Sequence, residues 1–178
     1  MRWSLPIGRI FGIPIRVHFT FFLLLFLVYY VFAQRAESVK AGLFAVLLVC
    51  IVFTCVVAHE LGHSLAARFF GTKTRGIVLL PIGGVALLEN LPREPHKEII
   101  IALAGPFVSA LLAACFFIAA VKVGLPLAAD PNQLSLAAVL SSLFWINAIL
   151  LMFNLLPAFP MDGGRVLRGF LSLFVGWE

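Results

Sequence analysis

The sequence predicts an all-α polytopic membrane protein, a bundle of about four transmembrane helices with a small β-hairpin or re-entrant segment near residues 72–88. Three observations predict it. The 178 residues are 62% hydrophobic, with a mean hydropathy of +1.10. Only 12% of them are charged, a balance that belongs to membrane proteins rather than soluble domains. Long apolar runs alternate with short polar turns, and the length suits a single domain over residues 1–178. The net charge of +5 does not call for a nucleic acid, because Lys and Arg collect in the cytoplasmic loops of membrane proteins. The expected surroundings are a lipid bilayer.

Residues 1–18 form an amphipathic lead with Arg2, Arg9 and Arg16, broken by Pro6, Gly8, Gly12 and Pro14. Residues 11–18 suit a short strand or an interfacial segment. His18 stands at a span boundary, where an ordinary interfacial role outweighs a ligand role. No apolar stretch with a small-residue cleavage site precedes the first span, so that span is expected in the mature protein. Span one covers about residues 19–33, flanked by Tyr29 and Tyr30 as interfacial aromatics. A polar turn over 34–40 leads into span two, about residues 41–70, which at 1.5 Å per residue outruns a ~30 Å hydrocarbon core.

Residues 72–80 are β-branched and partly alternating, and Pro81, Gly83 and Gly84 break the stretch from 81 to 87. Strands, a hairpin or a re-entrant loop fit better than a span. Residues 91–98, with Arg93, Glu94, Lys97 and Glu98, read as a solvated connection, and His96 as a surface histidine. Span three, about 99–123, carries two small-residue rows at four-residue spacing, Ala102, Pro106, Ala110 and Ala114 beside Gly105, Ser109 and Ala113, that favour close helix packing. Pro106 frees a carbonyl and invites a kink. A turn over 124–133 precedes span four, about 134–156. The tail from Arg165 is too short to span and suits a short helix that continues span four or lies at the interface. Cys50, Cys55 and Cys115 lie in apolar runs at spacings that suit packing, not a bridge.

One stretch organises the rest. His59-Glu60-Leu61-Gly62-His63 comes after ten uncharged residues inside span two. Histidines four apart share a helix face, and the acid between them can take a proton from water at a metal. Ionisable groups at membrane depth are costly and mark function by default. A catalytic zinc usually takes three protein ligands, so this motif leaves one to be found. Gly62 costs about 1 kcal/mol against Ala in a helix, for which close approach of another backbone is a reason.

Asp162 is the candidate for the missing ligand. It comes after Asn154-Leu155-Leu156-Pro157-Ala158-Phe159-Pro160-Met161 and precedes Gly163 and Gly164. Alone this would be an exit turn of ordinary turn residues. Topology favours more. Four spans put Arg2, Arg9, Arg16, Arg68, Lys73, Arg75, Arg93, Lys97, Arg165 and Arg168 on one side, against Arg35, Lys40 and Lys122 on the other. The positive-inside rule makes the first side cytoplasmic. Spans two and four then both run toward the cytoplasm, and the histidine motif and Asp162 reach the same depth.

With both motifs in hand, the chain resembles the site-2 protease family of intramembrane zinc metalloproteases. Gly83-Gly84-Val85 and Ala104-Gly105-Pro106 look like further family features, and residues 11–18 look like the opening of the branch that often carries CBS domains. The resemblance covers essentially the whole chain. It implies that His59, His63 and Asp162 bind Zn2+, that Glu60 is the catalytic base, and that Asn154 helps hold substrate or the oxyanion. The implied substrate is a transmembrane protein, cut in or near its membrane segment during regulated signalling proteolysis. The N-terminus and active site would face the cytoplasm, and homo-oligomers stay open. Members of that branch usually continue through further spans and some into CBS domains, so a chain truncated soon after the Asp162 motif is one expectation. Because a substrate helix hides its carbonyls, it must unwind, and the 72–88 segment could pair with it by strand addition. Two alternatives stand beside this reading. A metal transporter would want access from both faces and paired repeats, which the sequence lacks. An inactive, partner-binding homologue would have little need of the metal ligands.

Overall fold

A computed structural model describes residues 3–89, 92, 94–126 and 135–175. Arg2, Arg93, most of the turn predicted over 124–133 and the last three residues lie outside them. The chain runs β1 (Ser4–Ile10), β2 (Ile13–His18), α1 (Phe19–Arg35), α2 (Val39–Phe69), β3 (Thr74–Leu80), β4 (Gly83–Leu88), α3 (Pro95–Lys122), α4 (Leu136–Asn154) and α5 (Asp162–Val175).

The all-helical expectation needs correction. The strands form one four-stranded sheet in the order β1-β2-β3-β4. The segment 72–88 is a hairpin, one of its expected forms, and the N-terminal lead supplies two further strands. β1 and β2 pair antiparallel around a two-residue turn in which Phe11 (φ 51°) and Gly12 (φ 81°) are both left-handed. That is the turn whose twist matches a hairpin. Arg68 at the end of α2 donates to the Phe11 carbonyl at 2.6 Å and ties the turn down. β2 and β3 pair in parallel, Ile15 opposite Ile77 and Val17 opposite Leu79. The crossover between them is the α1–α2 pair. β3 and β4 pair antiparallel, and the hairpin's open end is closed by an exposed ion pair in which Arg75 holds the Glu89 carboxyl below its ordinary range.

Alternation explains the sheet's burial. Ile13, Ile15 and Val17 point inward from β2, onto Phe21 of α1 and Phe53, Val57 and Leu61 of α2. Phe21 and Phe53 meet edge to face with centroids 4.6 Å apart. β3 is central, and its residues Gly76–Leu79 are all buried.

Among the described residues three helices, α2, α3 and α4, are long and apolar enough to cross a membrane; α1 is apolar but 17 residues long. Their outward faces carry exposed Phe26, Phe107 and Met152, a surface that suits lipid. His18 caps α1, its Nδ1 lying 2.8 Å from the Thr20 hydroxyl, and so keeps the boundary role expected of it.

α2 and α3 approach closely at Gly62, as its cost in a helix foretold. A Cβ there would lie 2.7 Å from the Ala104 carbonyl oxygen and 2.9 Å from Val108 Cγ2. A backbone oxygen cannot swing aside, so overpacking of about 1–3 kcal/mol should outweigh the helix-propensity gain of about 1 kcal/mol. Gly62→Ala is therefore expected to melt at a lower temperature in detergent micelles; an unchanged or raised midpoint would contradict the close packing.

Candidate functional site

The second half of α2 presents His59 and His63 on one buried face. α3 crosses behind them. Its Ile101 carbonyl accepts a hydrogen bond from His63 Nδ1 at 2.7 Å, and Ser109 Oγ lies 2.9 Å from His59 Nδ1. A carbonyl can only accept, so the His63 proton sits on Nδ1 and Nε2 keeps its lone pair. Both Nε2 atoms turn the other way, toward Asp162.

Asp162 is the first residue of α5, and an acid is well placed at a helix N-terminus. The chain reaches it by doubling back on the end of α4. Cβ atoms on Gly163 would fall 2.3 Å from the Leu155 and Leu156 carbonyl oxygens, and on Gly164 2.7 Å from that of Ala158. Only glycine permits that return. Asp162 Oδ2 then lies 3.1 Å from His63 Nε2 and 3.3 Å from His59 Nε2, with 3.1 Å between the two nitrogens.

This near-equilateral triangle could hold one metal ion. Tetrahedral zinc with ligands at 2.0–2.1 Å has ligand–ligand edges of about 3.3 Å, close to the observed 3.1–3.3 Å. Neutral imidazole nitrogens and an anionic oxygen are the right donors for zinc, and the Nδ1 partners on α3 are the outer contacts that orient metal-binding histidines. Gly105 completes the cradle. A Cβ there would sit 2.1 Å from His63 Nε2 and 2.7 Å from His59 Nε2, in the space an ion would use.

Glu60 is rotated off the histidine face and meets the hairpin. Ala86 of β4 donates its backbone N–H to Glu60 Oε2 at 2.9 Å. Gly84 allows this, since a Cβ there would lie 2.8 Å from Glu60 Cγ. A cavity of about 260 Å³ opens beside it, lined by His59, Glu60, the Pro81–Gly84 turn, Leu150 and Asn154. Asn154, at the end of α4, donates from Nδ2 to the Leu150 carbonyl at 3.0 Å. Of the five residues singled out from the sequence, His59, Glu60 and Asn154 line this cavity, and His63 and Asp162 complete the triangle with His59. Ser109, Gly105, the Ile101 carbonyl and the Ala86 N–H were not foreseen as parts of the site. The spacing of Gly105 and Ser109 in a small-residue row on α3 was their one visible signal.

The comparisons with known proteins bear on the family. The family model described as peptidase family M50 matches residues 44–129 and 120–176. Among curated relatives, the zinc metalloprotease MJ0392 of Methanocaldococcus jannaschii is 39% identical over 177 residues, covering 99% of this chain and 48% of that protein. The putative zinc metalloprotease Rip3 of Mycobacterium tuberculosis is 33% identical over 181 residues, covering 96% and 44%. Stage IV sporulation protein FB of Bacillus subtilis is 33% identical over 122 residues, covering 67% and 38%. The chain spans about half the length of the curated relatives it matches. Among solved structures, the site-2 protease from M. jannaschii superimposes with a TM-score of 0.72 at 39% identity, covering 98% of this chain and 74% of that one. Matches that take in α2 through α5 and every element around the cavity show that the chain belongs to peptidase family M50, the site-2 protease family.

Proposed function

We propose that the chain is the catalytic part of an intramembrane zinc metalloprotease that hydrolyses a peptide bond in or near a transmembrane segment of another membrane protein. The carrying observation is the meeting of His59, His63 and Asp162, ligand atoms within 4.8 Å of one another, beside an acid on the same helix. His59, His63 and Asp162 would hold zinc, which would supply a Lewis acid for the carbonyl and lower the pKa of water. Glu60 takes the proton from the attacking water and returns it to the leaving nitrogen. Asn154, across the cavity, holds the substrate or its developing oxyanion.

A substrate helix keeps its carbonyls in its own hydrogen bonds, so the peptide must be extended where it is cut. The strand addition expected of the 72–88 segment belongs to β4. β3 is paired on both sides, whereas β4 is an edge strand. Ala86, whose N–H already points at Glu60, is where an incoming strand and the base meet. Ala86→Pro removes that donor at an edge position that tolerates proline. Loss of this bond leaves the Glu60 carboxylate without its anchor, and displacement of the base should slow cleavage by about tenfold or more. Wild-type cleavage by this variant would remove β4 from the mechanism.

α1 as a fourth, short span accompanies this reading, with the N-terminus and the site toward the cytoplasm, as Arg9, Arg16, Arg68, Lys73, Arg165 and Arg168 favour. Regulated signalling proteolysis is the setting such an enzyme suits. The test is co-expression with epitope-tagged single-span proteins, wild type against Glu60→Gln, read by fragment size. No shortened fragment with any candidate, from a zinc-loaded wild type, would count against the protease reading.

A further inference from the structure

Glu98 was expected in a solvated connection, but it is 1% exposed, the most buried carboxylate among the described residues. It lies in the first turn of α3 and faces α5. Arg168 donates to its Oε1, and Arg165 Nε lies 4.0 Å from the same oxygen. Arg165 also faces the metal group. Its Nη1 is 3.9 Å from Asp162 Oδ1, while the other carboxylate oxygen, Oδ2, is the one turned to the two imidazoles. Arg165 Nη2 and Glu98 Oε2 are both buried and make no hydrogen bond. The guanidinium and the carboxylate are thus buried together, within ion-pair distance at Nε and Oε1.

A buried ion pair is a poor way to gain stability, since apolar residues would dock α5 on α3 at least as well. Outer partners that fix a ligand's orientation are what a metal site does need. We propose that Glu98 and Arg165 are positioning residues for the third metal ligand. Glu98 anchors Arg165, and Arg165 holds the outer oxygen of Asp162, so that one oxygen alone is offered to the ion. This rests on the reading of His59, His63 and Asp162 as the metal ligands.

The test uses the full chain in detergent micelles, with zinc affinity from chelator competition and the visible spectrum of the cobalt-substituted protein. Arg165→Gln and Glu98→Gln should each weaken zinc binding by about 10–100-fold and shift the cobalt bands. Arg165→Lys, which keeps the charge, should recover most of the affinity. The double variant should lose little more than Arg165→Gln alone, because the two residues act in series. Unchanged affinity and spectrum in Arg165→Gln, with a wild type that binds zinc, would overturn the positioning role and leave the ligand assignment standing. A fully additive double variant, or no rescue by Lys, would make the pair a structural clamp instead. A wild type that binds no zinc would sink the ligand assignment, and this role with it.

Discussion

Glu60→Gln is expected to lose cleavage by a factor of about 10²–10⁴, the usual share of a general acid–base, while keeping its zinc. The two halves of that expectation have separate causes. The amide is the same size as the carboxylate, and its oxygen can still accept from Ala86 N–H, which is 2.9 Å from Oε2 in the native chain. The cavity and the hairpin contact should survive. The ligand triangle consists of His59, His63 and Asp162 and does not include residue 60. What the variant cannot do is take a proton from water. Fragment size on co-expression measures the first half, and metal analysis of the purified protein the second. Normal cleavage would show that the base is another group; loss of zinc along with cleavage would show that Glu60 supports the ion directly.

Gly105→Ala should act in the opposite sense, removing the metal without touching a ligand. Its methyl carbon would lie as near His63 Nε2, at 2.1 Å, as zinc itself would, about 2.0–2.1 Å. Either the methyl occupies the ion's space or the imidazoles swing out and give up their Nδ1 contacts with Ile101 and Ser109. Both routes end in a metal content near zero, against one ion per chain in the wild type. Asp162→Ala is the comparison. It leaves two histidines in register, so its zinc affinity should fall steeply yet stay above that of Gly105→Ala. A zinc-replete Gly105→Ala protein would mean that the ion sits somewhere other than the histidine–aspartate triangle.

The reach of each signal decided which features could be foreseen. The histidine pair is local, four residues on one helix, and its burial stems from the uncharged run before it. Asp162 lies a hundred residues on, yet span parity alone brings it to the same depth. Glu98 is the contrary case. It ends a run of charged residues that looks solvated, and it is buried by α5, whose docking no nearby residue announces. β1 was hidden for another reason. Pro6 and Gly8 resemble loop punctuation, but an edge strand accepts both, and the irregular pairing between Pro6 and Gly8 absorbs them. The hairpin at 74–88 was legible from its β-branched residues and glycines, and a strand over 11–18 was one of two expected forms, but the pairing of the two across more than fifty residues was not legible.

The parallel pairing of β2 with β3 carries a practical warning for anyone trimming this protein. A version starting at Phe19 would retain each metal-facing atom and the acid beside them. It would also strip Ile13, Ile15 and Val17 from the packed interior and bare the far flank of β3. The hairpin that steadies Glu60 would then have two open sides for a strand to join, and self-association would compete with substrate for both.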